Sequence, residues 1–300
     1  MSAALALAAA WAIDAAFGEP RDAWHPVAWI GRVMGPLGRR LRGLPAAPAC
    51  VGGALAWSGG AALLAWAGLA LERALLAWPA WIAVPALALA IKPGFAWRML
   101  RDEVAAVEAA LGEGLPHGRA RLARLVSRDT AALDEREVRE AAIETLAENL
   151  NDAVVAPLCW LLLAGLPGLW VYRWANTLDA MWGYRGAWTW AGKWAARADD
   201  AMSWAPARLT AALLWRPGRF GWRALQAEAR RTPSPNGGWP MGAMALLLGV
   251  RLRKAGVYEL HAAGRVAEPA DTARALRLAG TAANLACAFA VAGLAARAVA

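Results

Sequence analysis

The chain has 300 residues, of which 59% are hydrophobic and 18% charged, with 19 tryptophans and a formal net charge of +9. Soluble domains average roughly 45–50% apolar and about 25% charged residues, so this composition excludes a disordered chain, a coiled coil and an ordinary soluble enzyme. The basic residues form no stripe interleaved with stacking aromatics. They lie in loops between apolar runs, the positive-inside pattern of a membrane protein and not a nucleic-acid footprint.

In chain order, residues 1–17 form an apolar span or half-span that carries Asp14 near its end. The segment 18–48 holds Arg21, Arg32, Arg39, Arg40 and Arg42 and is assigned to the cytoplasm. Residues 43–71 carry no charge, which places a span near 49–71, about the 20 apolar residues a crossing helix needs. Residues 74–91 are also uncharged and predict a second span, with the hairpin turning at Glu72 and Arg73 on the periplasmic side. The basic segment 92–141 returns to the cytoplasm. The uncharged run 153–172 contains Pro157, Gly165, Pro167 and Gly168, which free backbone groups that lipid cannot satisfy. It is therefore predicted to be a re-entrant or protein-buried helical hairpin, returning the chain to its starting side. Residues 278–296 are the last span.

No internal repeat, linker or strand-like alternation interrupts this pattern. The expected fold is all-α: a polytopic integral membrane protein with four to five membrane-embedded helical segments and cytoplasmic helical loops. Residues 1–300 are read as a single membrane-embedded helical domain. Cys50, Cys159 and Cys287 lie far apart in or beside apolar segments and read as small buried hydrophobes.

Four polar stretches exceed what packing requires. In the first, 127–152, Asp134 and Glu137 have the spacing of a capping box. The helix that follows sets Glu144, Glu148 and Asp152 at i, i+4 and i+8. A solvated acidic face is the plain alternative, yet this ladder runs into an apolar segment, where carboxylates are costly unless they face a polar cavity. Mg²⁺ favours one or two carboxylates plus substrate phosphates, which raises a Mg²⁺–phosphate role for this ladder above the plain alternative. In the second, RWANTLDAMWGYRG at 173–186, Arg173, Asn176 and Asp179 stack at single-turn spacing. The third, 192–210, offers Lys193, Arg197 and Arg208 to phosphate or carboxylate groups beside the adjacent Asp199 and Asp200. The fourth, SPNGGWP at 234–240, is a tight turn whose backbone N–H groups are candidates for an anion nest.

Taken in order, these stretches resemble the adenosylcobinamide-phosphate synthase family, the CbiB/CobD-type membrane proteins of cobalamin biosynthesis. The resemblance runs from GEPRDAWHPV at 18–27 to about Arg251. It is carried by SRDT at 127–130, ETLAENLND at 144–152, RWANTLDAMWGY at 173–184, ARADDAMSWAPARLTA at 196–211 and SPNGGWP. Met241 stands where the family pattern has Glu, and Arg231 and Thr232 replace a His-rich approach to SPN.

The resemblance implies ATP-dependent amide synthesis between aminopropanol, or its phosphate, and a corrin-ring carboxylate of adenosylcobyric acid. ATP and Mg²⁺ would serve as cosubstrate and activator. It further implies catalytic or metal-binding roles for Glu144, Glu148 and Asp152, and a base at Asp179 or Asp199. Substrate contacts would fall to Arg128, Asp129, Asn149, Arg173, Asn176, Lys193, Arg197, Arg208, Ser234 and Asn236. The implied setting is a bacterial inner membrane, with the active site facing the cytoplasm, the lipid bilayer and other cobalamin-pathway enzymes as neighbours and no nucleic-acid partner. The competing readings are a membrane transporter and a scaffold for corrinoid enzymes.

Overall fold

A computed structural model describes residues 1–216 and 218–298. The chain is helical almost throughout: α1 (Ser2–Phe17), α2 (Pro26–Arg42), α3 (Ala46–Leu76), α4 (Ala80–Ile91), α5 (Trp97–Glu113), α6 (Leu115–Leu122), α7 (Glu135–Leu150), α8 (Ala156–Trp182), α9 (Lys193–Leu214), α10 (Trp222–Ala229), α11 (Gly238–Leu248) and α12 (Pro269–Arg297), with β1 (Leu252–Lys254) and β2 (Tyr258–Leu260) between the last two. Among the described residues, four helical stretches are long and apolar enough to cross a membrane: Ala46–Leu76, Ala80–Glu113, Glu135–Trp182 and Pro269–Arg297. An all-α multi-pass membrane protein is the result.

The residues form two compact units. The first comprises Met1–Ala96, Ala156–Ser203 and the residues from Cys287 onward; the second comprises Trp97–Val155 and Trp204–Ala286.

In the first unit, α3 packs along α8. Close approach requires glycine here: a side chain at Gly53 would strike the Ala191 carbonyl, and one at Gly60 the Trp174 ring. The expected turn at Glu72 and Arg73 is corrected by the structure, because α3 continues to Leu76 and the chain turns just before Ala80. Two charges in the last helical turn are tolerated because Glu72 is used internally: its carboxylate accepts from the Leu166 N–H at 3.2 Å. The second apolar stretch accordingly begins only at Ala80 and runs on past residue 91, to Glu113. Regular α4 has 12 residues, and a 3₁₀ turn at Lys92–Gly94 follows it.

The uncharged run 153–172 breaks at Ala164 and Gly165, whose backbone is non-helical, Gly165 at φ +65°. A positive φ is readily available only to glycine. Beyond the break the chain doubles back, since the position of a Gly168 side chain would collide with the Trp160 carbonyl, eight residues earlier. In an unbroken helix those residues would be about 12 Å apart. The run is a helical hairpin, as its prolines and glycines predicted. Its freed backbone groups are satisfied from outside: Glu72 accepts from Leu166, and the Arg297 guanidinium donates to the Leu162 carbonyl. Trp160 Nε1 donates to the Met202 carbonyl, and Tyr172 and Ser203 share a buried hydrogen bond, which tie the hairpin to the first half of α9.

The second unit is organised around α7, whose side chains are mostly buried although five of its residues are Glu and two Arg. The capping box is formed as expected: Asp134 accepts from Glu137 N at 2.8 Å, and Glu137 accepts from Asp134 N at 3.0 Å. Burial is tolerated because the charges are paired. Arg139 makes a forked contact with Glu108 at 2.8–3.1 Å and a second with Glu135 at 2.9 Å. Glu140 accepts from the Arg253 N–H at 3.1 Å. That contact comes from the β1–β2 hairpin, which periodicity did not reveal because each strand has only three residues.

Candidate active site

Each unit gathers polar side chains that its apolar packing does not need. In the second unit the centre is Glu144, 4% exposed on the buried face of α7. Arg128, from the SRDT stretch, donates to its Oε2 at 3.1 Å, while Oε1 has no hydrogen-bond partner. SRDT is itself fixed locally: Asp129 accepts from Ala131 N at 2.9 Å and Thr130 donates to the Arg119 carbonyl at 3.1 Å. Glu148 is one turn beyond Glu144, its Oε1 3.0 Å from where a side chain at Gly237 would begin, a tight approach between the carboxylate and the SPNGG turn.

Tyr258, on β2, closes this group. Its hydroxyl lies 3.7 Å from Met241 Sδ, is hydrogen-bonded to the Glu144 carboxylate and is close enough to Glu148 to feel its charge. Burial first, and then those two carboxylates, push the Tyr258 phenol well above its ordinary value, so it stays protonated and remains a donor. Nothing in the motif spacing singled out Tyr258. An isolated tyrosine in an otherwise polar stretch was the only available signal.

The rest of the predicted ladder behaves differently. Asp152 lies in a π-helical turn, Asn151–Val155, which interrupts the 3.6-residue period at the end of α7. Its carboxylate accepts from the Asn151 amide at 2.7 Å, and Asn151 accepts in turn from Thr210 at 3.1 Å. Asn149 donates back to the Thr145 carbonyl at 3.1 Å.

The SPNGG turn is folded around its own side chains. Ser234 Oγ accepts from the N–H groups of Asn236 and Gly237, both at 3.1 Å, so these donors, candidates for an anion nest, are engaged internally. Arg208 donates to Asn236 Oδ1 at 3.0 Å and to the Pro235 carbonyl at 3.1 Å, with its guanidinium 4.4 Å from the Trp204 ring and 4.7 Å from Trp239. This geometry holds Arg208 against the turn that borders Glu148. Asn236→Ala is expected to cost about 0.5–1.5 kcal/mol, the usual net value of one hydrogen bond, because the half-buried Arg208 keeps the Trp204 and Pro235 carbonyls as acceptors. Thermal unfolding in detergent should show a lowered midpoint for Asn236→Ala and a smaller drop for Asn236→Asp, which keeps the acceptor.

In the first unit the second and third polar stretches meet. Arg173 donates to Asn176 Oδ1 at 3.5 Å, and Asn176 Nδ2 donates to Asp199 Oδ1 at 3.3 Å. Asp179 folds against Gly183. Lys193 lies 4.9 Å from the Trp190 ring. Burial raises the Asp200 carboxyl above its ordinary value, partly offset by Arg197. A further buried group was not anticipated: Lys92 Nζ lies 3.1 Å from Asp14 and 2.6 Å from Glu19, and Glu19 also meets His25 at 2.8 Å. Burial pulls the Glu19 carboxyl up, but the hydrogen bonds from His25 and Lys92 outweigh it and hold it below its ordinary value.

Among the described residues no group of three or more His, Cys, Asp or Glu side chains converges as a metal cage. The pair Glu144 and Glu148 does suit a Mg²⁺ ion that takes one or two carboxylates and completes its shell with phosphate and water. The unpartnered, buried Glu144 Oε1 is the acceptor such an ion would use.

Residues 7–279 match the family model described as CobD/Cbib protein. A probable cobalamin biosynthesis protein CobD of Pyrococcus abyssi is 39% identical over 277 residues, covering 91% of this chain and 89% of that protein. A cobalamin biosynthesis protein CobD of Stutzerimonas stutzeri is 41% identical over 285 residues, 87% of this chain and 86% of the relative. That of Chromobacterium violaceum is 41% identical over 268 residues, 84% and 82%. No solved structure matches the chain. With nearly the whole length matched and every motif-bearing segment inside the match, the chain belongs to the CobD/CbiB family.

Proposed function

We propose that this chain works in cobalamin biosynthesis as a membrane-bound amide synthase, joining aminopropanol or its phosphate to a corrin-ring carboxylate of adenosylcobyric acid with ATP as the driving cosubstrate. Relatives across most of its length are named as cobalamin biosynthesis proteins. The observation that carries the chemistry is Glu144, buried with one oxygen unpartnered beside Glu148, Arg128 and Tyr258.

A carboxylate is a poor acyl donor until phosphoryl or adenylyl transfer from ATP makes one of its oxygens a leaving group. The amine nitrogen then attacks the carbonyl carbon, loses a proton to a base, and phosphate or AMP departs. Little covalent work falls to the protein, so positioning and charge neutralisation dominate. Glu144 and Glu148 would hold Mg²⁺, which supplies neutralisation of the ATP phosphates. Arg128 orients Glu144, and Tyr258 supplies a neutral donor beside both acids. In the first unit, Asn176 recognises substrate amide groups while Arg173 and Asp199 fix its rotamer, and Lys193 and Arg197 attract phosphate or carboxylate. Asp199 and Asp179 are the candidate bases of the first unit for an amine proton. We place the protein in a bacterial inner membrane with this chemistry facing the cytoplasm, where ATP is available.

The broken helix at Ala164–Gly165 and the buried Asp14–Lys92 pair are features a transporter also shows. One experiment separates the two readings. Purified protein given adenosylcobyric acid, aminopropanol or its phosphate, ATP and Mg²⁺ should form the amide, and proteoliposomes should take up no corrinoid. Uptake without amide formation would reverse the assignment.

A further inference from the structure

Away from these groups, the second unit contains a cavity of about 270 Å³ lined by Arg216, Arg219, Arg274 and Arg277, with Leu247, Leu278 and Thr281 as the remaining wall. No carboxylate lines it. Arg216 donates to the carbonyls of Leu213 and Trp215, both at 3.0 Å. Arg274 reaches Asp271 at 3.2 Å, but that carboxylate is already shared with Arg265. Among the described residues Arg216, Arg219 and Arg277 have no carboxylate within ion-pair distance. Four like charges around one cavity raise a positive potential there, which water and salt screen in part and an anion would neutralise directly.

The position of the pocket selects the anion. Arg274 and Arg277 directly precede the uncharged run 278–296 of α12, so their guanidinium groups stand where the chain enters the bilayer, the level of lipid phosphates. The volume falls below the roughly 300–1,000 Å³ of pockets that enclose a whole small-molecule ligand. The lining has no aromatic ring to stack a nucleobase, while Leu247 and Leu278 suit the glyceryl and acyl part of a lipid. We infer that this four-arginine pocket holds the phosphate of an anionic membrane phospholipid, anchoring the start of the last span to the lipid headgroup layer.

The test uses delipidated full-length protein in detergent, titrated with phosphatidylglycerol, phosphatidylcholine or ATP and followed by native mass spectrometry. Phosphatidylglycerol should bind with at least tenfold preference over phosphatidylcholine. The double variant Arg219→Gln/Arg277→Gln should lose that preference. Both side chains are exposed, so an unchanged melting midpoint without lipid is expected to show that the variant folds. Thr281→Glu, which sets a carboxylate in the pocket, should lower phosphatidylglycerol affinity similarly through a different position. Undiminished phosphatidylglycerol binding by both variants would overturn the inference. So would ATP adducts that the double variant loses while it keeps phosphatidylglycerol, which would make the pocket a site for soluble phosphates.

Discussion

Glu148→Gln is expected to lower kcat/KM for ATP-dependent amide formation by about 10²–10³ while the protein accumulates in the membrane at normal abundance. The magnitude follows from the several kcal/mol of charge stabilisation that a metal ligand contributes in a phosphoryl-transfer step, at 1.36 kcal/mol per tenfold in rate. The amide is nearly isosteric and keeps an oxygen, so packing beside Gly237 is preserved and only the charge is lost. Glu144→Gln should be as damaging to turnover, but with an added stability cost. Its carboxylate is buried and paired with Arg128, so neutralising it leaves a guanidinium without its counter-charge, at about 1–3 kcal/mol. Arg128 is partly exposed, which keeps this below the cost of breaking a fully buried pair. Steady-state kinetics together with membrane abundance separates the effects. Near-wild-type turnover in Glu148→Gln would reduce that residue to a solvated face, and the proposed Mg²⁺–phosphate role would go with it.

Glu144 and Glu148 stand out in the sequence because their signal is local. A ladder of like charges at helical spacing is a local pattern, and its conflict with the adjoining apolar run is visible without coordinates. The capping box at Asp134 and the break near Gly165 are legible for the same reason, since each depends on residues within a few positions of one another. What stayed hidden was set by distance along the chain. Lys92 meets Glu19 across 73 positions, and Glu72 serves Leu166 across 94. Periodicity carries no information about such pairs. Tyr258 was invisible because it sits on a three-residue strand, too short for alternation to register. Arg208 looked like a phosphate ligand by type, but its two tryptophans and the Asn236 side chain turn it inward. Residue type carries no information about those intramolecular partners, which lie on other segments of the chain.

Cysteines placed at Ala187 and Leu44, in a background lacking Cys50, Cys159 and Cys287, are expected to react with an impermeant thiol reagent from the cytoplasmic face only. A cysteine at Trp78 should react from the opposite face only. All three positions are exposed, and all belong to the first unit. The reasoning follows α3, whose 31 residues span about 46 Å, more than the roughly 30 Å hydrocarbon core. Near its start, the segment after α8 is in contact: the Ala191 carbonyl faces Gly53, and the Arg42 guanidinium lies 5.0 Å from the Trp188 ring. Near its end lies the tip of the hairpin, with Pro167 against Gly68 and Leu166 held by Glu72. The second arm of α8 therefore runs antiparallel to α3 and delivers residues 183–192 to the end where Arg39, Arg40 and Arg42 cluster. By the positive-inside bias that basic cluster is expected on the cytoplasmic side. Without the reversal at Ala164–Gly165 the same residues would emerge beside Trp78. Labelling of Ala187 and Trp78 from one face would show that α8 does not return the chain, and the cytoplasmic placement of Asn176, Asp199 and Lys193 would fail with it.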